Sequence, residues 1–179
     1  MHKKEIYMTK RYLWNWAVWI GVVSGIYCFL YSLTPLADYG VMPATFTALP
    51  IFFTAGAQRK EYFHYAASNI MGVVWGLLYL MGITAIAGYV GAAAANGIVV
   101  GLVTIVCCAI HFIPTGATWL NKPAAMFGAI SSTFWIGGDK TKVIPLMITL
   151  VLGVTLALVC QEGTNFLTEE GKWTWPSKK

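Results

Sequence analysis

The chain of 179 residues is 58% hydrophobic and 11% charged, with a mean hydropathy of +0.65 and a net charge of +5. Soluble domains carry roughly 25% charged residues, and a chain this short has no interior large enough to hide so much apolar surface from water. The composition therefore excludes an ordinary water-soluble enzyme and points to lipid as the solvent of a single membrane domain.

The basic N-terminus (Lys3, Lys4, Lys10, Arg11) leads into an apolar run over residues 13–33. At 1.5 Å per residue the run reaches about 30 Å, enough to span a bilayer. It is too long for a signal peptide and lacks a small-x-small cleavage site, so it is expected to stay as an anchor. Residues 34–40 form a turn around Pro35 and Asp38, and a second, short apolar run over 41–57 carries Pro43 and Pro50. The polar cluster QRKE at 58–61 separates it from a long third run over 63–87, and the small residues of 88–95 read as a linker into a fourth over 96–113. After a loop at 114–122 come a short fifth run over 123–137, polar residues 138–142, a sixth run over 143–160 and a polar tail. The fold class expected is all-α and polytopic, with about six transmembrane segments of which the second and fifth are short and broken.

The basic residues set the topology. Alternating segments place Lys3, Lys4, Lys10, Arg11, Arg59, Lys60, Lys122, Lys172, Lys178 and Lys179 on one side, and only Lys140 and Lys142 on the other. Cationic loops stay in the cytoplasm, so both termini are expected there. Tyr12, Trp14, Trp16, Trp119, Trp173 and Trp175 would form an aromatic belt on that face. The basic residues do not make an aromatic-interleaved stripe, so no nucleic-acid partner is expected. Cys28, Cys107, Cys108 and Cys160 all lie in apolar runs, without metal-ligand or disulfide spacing, and read as small packing residues.

The sequence also matches itself at a shift of 81 residues. Ala44 then meets Ala125, Phe46 meets Phe127, Ala48 meets Ala129, Phe53 meets Phe134, Gly56 meets Gly137, Gly72 meets Gly153 and Leu77 meets Leu158. Small residues four apart recur in both halves: Gly21 and Gly25, Gly97 and Gly101, Gly72 and Gly76, Gly153 and Ala157. Such pairs let membrane helices approach closely. With three segments in each half, the second half enters from the opposite side, so the reading is an inverted 3+3 repeat: about 12–87, about 91–162, then a polar tail over 163–179.

In inverted repeats the short, interrupted segments mark the solute site. The pathway candidates are Phe46, Thr47, Pro50, Phe53 and Thr54 from the second segment, and Phe127, Ser131, Ser132, Thr133, Phe134 and Trp135 from the fifth. Asn69, a carboxamide deep in the third segment, joins them. Against this stands the commoner role of such groups, hydroxyls bonded to their own i−4 carbonyls and Asn bonded across helices. Asn121 before Pro123 reads as an N-cap with proline at the first helical position. His64 and His111 sit near segment ends, where solvation is commoner than pH sensing, and Asp139 sits in a polar loop or at a pore mouth.

No charge lies well inside a segment, which argues against a proton- or sodium-driven pump and for passage of a neutral or weakly charged solute. GxSxG, HExxH, P-loop and GxGxxG motifs are missing, so neither enzyme activity nor a cofactor or metal is expected. The expected function is a channel or facilitator for a small polar solute of the urea, amide or short carboxylate class. The alternatives are a membrane scaffold or accessory subunit, which would show no permeability, and an ion-coupled secondary transporter, whose uptake would need an ion gradient. The partners expected are the lipid bilayer, that solute and further copies of the chain.

The motifs Gly72-Val-Val-Trp-Gly76, Pro123 with Phe127-Gly-Ala through Gly138-Asp139, Pro145-Leu and Leu152-Gly153 resemble a family of small uncharacterised bacterial inner-membrane proteins that includes enterobacterial YcdZ. The resemblance spans most of residues 20–160 and implies a multi-pass protein of the inner membrane. It carries no substrate and no functional residues over to this chain.

Overall fold

The computed structural model describes residues 9–113 and 119–175, which include six α-helices. Helix α1 (Lys10–Ser32) starts where Thr9 Oγ1 accepts from the Tyr12 amide at 3.2 Å, and ends before Pro35, which cannot continue a helix. A 3-10 turn (Met42–Ala44) with Pro43 leads into α2 (Thr45–Thr54), closed by Gly56 at φ +88°. Helix α3 (Tyr62–Val90) is the longest, and α4 (Ala92–Phe112) follows it after Gly91 alone, at φ +83°. Helix α5 (Pro123–Trp135) stops at Gly137 and Gly138, both left-handed, and α6 (Lys140–Glu162) is capped by Asp139.

The six apolar runs thus correspond to six helices, with one correction. Residues 88–95 are no linker: α3 runs through Gly88 and α4 begins at Ala92, because alanine is the best helix former and only Gly91 breaks the geometry. The polar tail is held against α1. Residues 163–175 fold back through a bridge between Leu167 and Trp173, and Asn15 Nδ2 donates to Gly171 O at 2.8 Å. Trp19 stacks on Phe166 at 5.3 Å. The expectations for Lys3, Lys4, Lys178, Lys179 and the loop portion 114–118 fall outside the described residues.

Four helices, α1, α3, α4 and α6, are long and apolar enough to cross a bilayer. Helix α2 has 10 residues and α5 has 13, about 15–20 Å at 1.5 Å per residue, too little to span alone. Both are short as expected; α5 is unbroken, whereas α2 carries Pro50.

Side-chain contacts fix the directions. Trp16 Nε1 donates to Cys160 O (3.1 Å) and the Tyr31 hydroxyl meets Thr149 Oγ1 (2.7 Å), so α1 runs antiparallel to α6. Trp75 on His111 and Tyr79 on Thr104 make α3 and α4 antiparallel. Tyr27 meets Thr45 and Trp16 meets Phe53, which sets α2 against α1 and along α6. Lys122 N donates to Ser68 Oγ, and Gly76 faces Thr133, so α5 runs along α3.

The closest approaches occur at glycine. A Cβ on Gly72 would lie 2.8 Å from Met126 Cα and 2.7 Å from Ala129 Cβ on α5. A Cβ on Gly153 would lie 3.1 Å from Thr45 Cα and 3.0 Å from Ala48 Cβ on α2. Gly76 and Ala157 are buried one turn further on in α3 and α6. Around these contacts lies a core that includes Val41, Phe52, Val73, Ala125, Leu146, Leu150 and Val154. Gly21, Gly25, Gly97 and Gly101 have nothing within 4 Å of a Cβ and face away from the bundle.

Both described ends of the chain share one end of the bundle. Thr9 Oγ1 donates to Glu170 O, Arg59 pairs with Glu162 at 2.6 Å, and Lys122 pairs with Glu61. That end therefore gathers Lys10, Arg11, Arg59, Lys60, Lys122 and Lys172, while Lys140 and Lys142 lie at the other, as the alternation of segments requires.

Candidate functional site

Helices α2 and α5 cross antiparallel at the centre, where glycine removes the side chain that would hold them apart. At Gly128 a Cβ would meet Ile51 Cδ1 at 2.7 Å and Thr47 Cγ2 at 3.2 Å. To one side of this crossing, toward the Lys140 end, a cleft of about 200 Å³ opens, lined by Pro43, Ala44, Thr47, Ser131, Ser132 and Trp135. On the other side the Ile51 side chain is seated on Gly128.

Four pathway candidates, Thr47, Ser131, Ser132 and Trp135, thus meet in one cleft. The others are placed elsewhere. Phe53 packs on Trp16 at 5.4 Å and Phe134 on Tyr79 at 5.9 Å, so both brace neighbouring helices. Phe46 and Phe127 are exposed, as is Pro50. Thr133 is fully buried against Gly76 and donates to Ala129 O at 2.8 Å. Thr54 and Ser132 also donate to carbonyls one turn back, Pro50 O and Gly128 O. A hydroxyl bonded in this way keeps its oxygen lone pairs, so Ser132, which lines the cleft, presents an acceptor to it.

Asn69 lies apart from the cleft, in α3 and 1% exposed. Its Nδ2 donates to Tyr65 O at 3.0 Å, and its Oδ1 is buried without a partner among the described residues. Beside it the first turn of α5 rests on Ser68, while Lys122 lies over the Tyr65 ring at 5.3 Å and pairs with Glu61. Asn121 is not the N-cap expected. Lys122 holds that position, no side chain caps the helix, and Asn121 Oδ1, like His64 Nδ1, has no partner among the described residues. The α5 amides at this end are turned to Ser68 and to Lys122 O, which leaves the Asn121 carboxamide unused. Pro123 does occupy the first turn, where its missing amide costs nothing.

Sequence reasoning missed the bonds that satisfy the buried hydroxyls. Four tyrosines reach threonines on other helices: Tyr27 to Thr45, Tyr31 to Thr149, Tyr62 to Thr155 and Tyr79 to Thr104, at 2.6–2.9 Å. For Tyr27, Tyr31 and Tyr79 the signal is a tyrosine within an apolar run, which needs a partner for its hydroxyl in lipid, whereas Tyr62 only borders one. His111 is not solvated at an interface. It is buried and accepts at Nε2 from Trp75 Nε1 at 3.0 Å. A larger groove of about 710 Å³, lined by Leu77, Leu80, Met81 and Ile144 with Lys140 at its rim, opens beside the Gly137-Gly138 turn. Next to it the hydroxyl and amide of Thr141 hold the Asp139 carboxyl below the usual carboxylate range.

The model of a family described as "Protein of unknown function (DUF1097)" matches residues 17–165, and the chain belongs to that family. No curated protein and no solved structure matches it.

Proposed function

We propose that this DUF1097 member is a facilitator for a small, polar, neutral or weakly charged solute, built as two inverted three-helix repeats around the α2–α5 crossing. The observation that carries the reading is the cleft in which Thr47, Ser131 and Ser132 bring hydroxyls together between two helices too short to span. Backbone that does not cross the bilayer is tolerated where protein or water satisfies it, and such helices line solute paths.

Support for the repeat comes from contacts spaced by 81 residues. Gly72 on Met126 and Ala129 corresponds to Gly153 on Thr45 and Ala48. Thr47 also touches Gly128, its own counterpart. Counterpart helices, α1 and α4, α2 and α5, α3 and α6, run in opposite directions, so the operation relating the halves inverts them. The solute is a urea, amide or short carboxylate, since the cleft offers hydroxyls and an aromatic wall without a charged side chain.

In this reading the basic end faces the cytoplasm of a bacterial inner membrane, as the positive-inside rule requires, and the kinship extends to the small inner-membrane proteins around YcdZ. A second copy packs through the outward stripes Gly21/Gly25 and Gly97/Gly101, which have open space over them. The test is flux into proteoliposomes with urea, acetamide, acetate and glycerol. Passage of at least one solute without an ion gradient is expected. No permeability to any of them would make the protein a scaffold, and uptake that needs a gradient would make it a coupled transporter.

A further inference from the structure

We infer that the α3 face beneath the first turn of α5 binds a neutral, N–H-bearing solute of the primary amide or urea class, with the Asn69 carboxamide oxygen as its buried acceptor. The inference rests on the transport reading above and names the solute class and the residue that selects it.

A buried carboxamide oxygen without a partner costs stability, and native proteins keep few of them. Asn69 Oδ1 is such an atom, in a residue only 1% exposed. Because Nδ2 is turned back to Tyr65 O along its own helix, the oxygen points the other way. Packing does not require asparagine here. Counted 81 residues on, the same place in the second half is Leu150, fully buried in the core.

The neighbours extend the contrast. His64 Nδ1 and Asn121 Oδ1 are likewise buried atoms without partners among the described residues, and their counterparts are Pro145 and Gly40, neither of which has a hydrogen-bonding side chain. His64 and Ser68 stand one turn apart on α3, and the Lys122 amide on Ser68 Oγ at 3.3 Å brings Asn121 beside them. Among the described residues the unpartnered buried polar atoms therefore gather at the uncapped start of α5. The positive end of that helix favours a carbonyl oxygen, and Asn69, Asn121 and His64 accept N–H groups. A primary amide or urea presents both. Acetate has no donor to give, and glycerol brings hydroxyls without the carbonyl that the helix end prefers.

The test uses the full chain in bilayers, labelled with 13C-asparagine. The chain has asparagine only at positions 15, 69, 96, 121 and 165, and the Asn69 side-chain signal is assigned by its loss in N69L. Acetamide is expected to shift the Asn69 and Asn121 side-chain carbons, with acetate leaving them in place. Asn69→Leu is expected to keep or raise the melting temperature while acetamide flux falls about tenfold, the loss of one hydrogen bond. Unmoved Asn69 and Asn121 signals, or a fall in melting temperature that reveals a structural partner for Oδ1, would overturn the site. Shifted signals in a protein that passes no solute would keep the site and end the transport reading instead.

Discussion

The two sides of the α2–α5 crossing carry different side chains at positions 81 residues apart. Ile51 lies on Gly128 on one side, while Ser132, which stands 81 residues after it, lines a cleft on the other. Pro50 and Ser131 are spaced in the same way. In the proposed repeat a duplicated framework holds two equivalent places and leaves the side chains to decide which one admits a solute. The contacts that argue for equivalence are those of Gly72 on α5 and Gly153 on α2.

The strongest way to break this comparison is to attack the shared framework. Gly72→Leu and Gly153→Leu each drive a side chain into backbone atoms of the facing short helix, at Met126 and Thr45. Backbone cannot yield as a flexible side chain does, so each change is expected to cost more than about 3 kcal/mol and lower the melting temperature in detergent by about 10 °C or more. The two effects should be similar. If one variant melts like the parent, the halves are not equivalent and the comparison falls.

The openness of the cleft can be tested by chemistry. In a background without the native cysteines, Ser131→Cys, exposed at the cleft, is expected to react with a water-soluble maleimide, and Thr133→Cys, fully buried two residues on, to react at least about tenfold more slowly. A sealed position is modified only when the local structure opens, and even a modest opening free energy suppresses the rate to that extent. Equal rates would mean that the cleft is no more open to water than the helix interior. Ser132→Ile, which places the other side's residue in the cleft, should keep the fold and lower flux about tenfold, since a filled cleft has no room for solute. Unchanged flux would move the path elsewhere.

These places were unequally legible. Long apolar runs show in any window, and the helices follow them to within a few residues, since lipid leaves the backbone no alternative to helix. Residues 88–95 misled because alanine and glycine look alike as small residues, though only Gly91 takes a left-handed conformation. The fold of the tail was not legible, because its hairpin is held by Asn15 and Trp19, distant in sequence. Thr47, Ser131 and Ser132 were readable as hydroxyls on short segments. The phenylalanines were not, because spacing along a helix does not say which neighbour it meets. Phe53 and Phe134 face Trp16 and Tyr79, while their equally apolar companions Phe46 and Phe127 are exposed.

The glycine pairs carry that lesson furthest and yield the smallest expected change in stability. Gly21 and Gly25 share the four-residue spacing of Gly72 and Gly76, yet nothing lies within 4 Å of a Cβ on either. Gly97 and Gly101 are open in the same way. Spacing alone therefore says that a close approach is possible, and only the facing surface says with what. Gly21→Ala and Gly97→Ala should leave the folded protomer unharmed or stabilise it by up to about 1 kcal/mol, because alanine loses less backbone freedom than glycine in a helix. The larger Gly21→Leu and Gly97→Leu fill the outward stripes, so they should shift the particle size in mild detergent toward the monomer while the melting temperature holds within about 3 °C. A particle size that stays put in both leucine variants would show that the stripes face lipid, and the place where copies meet would have to be sought on another surface.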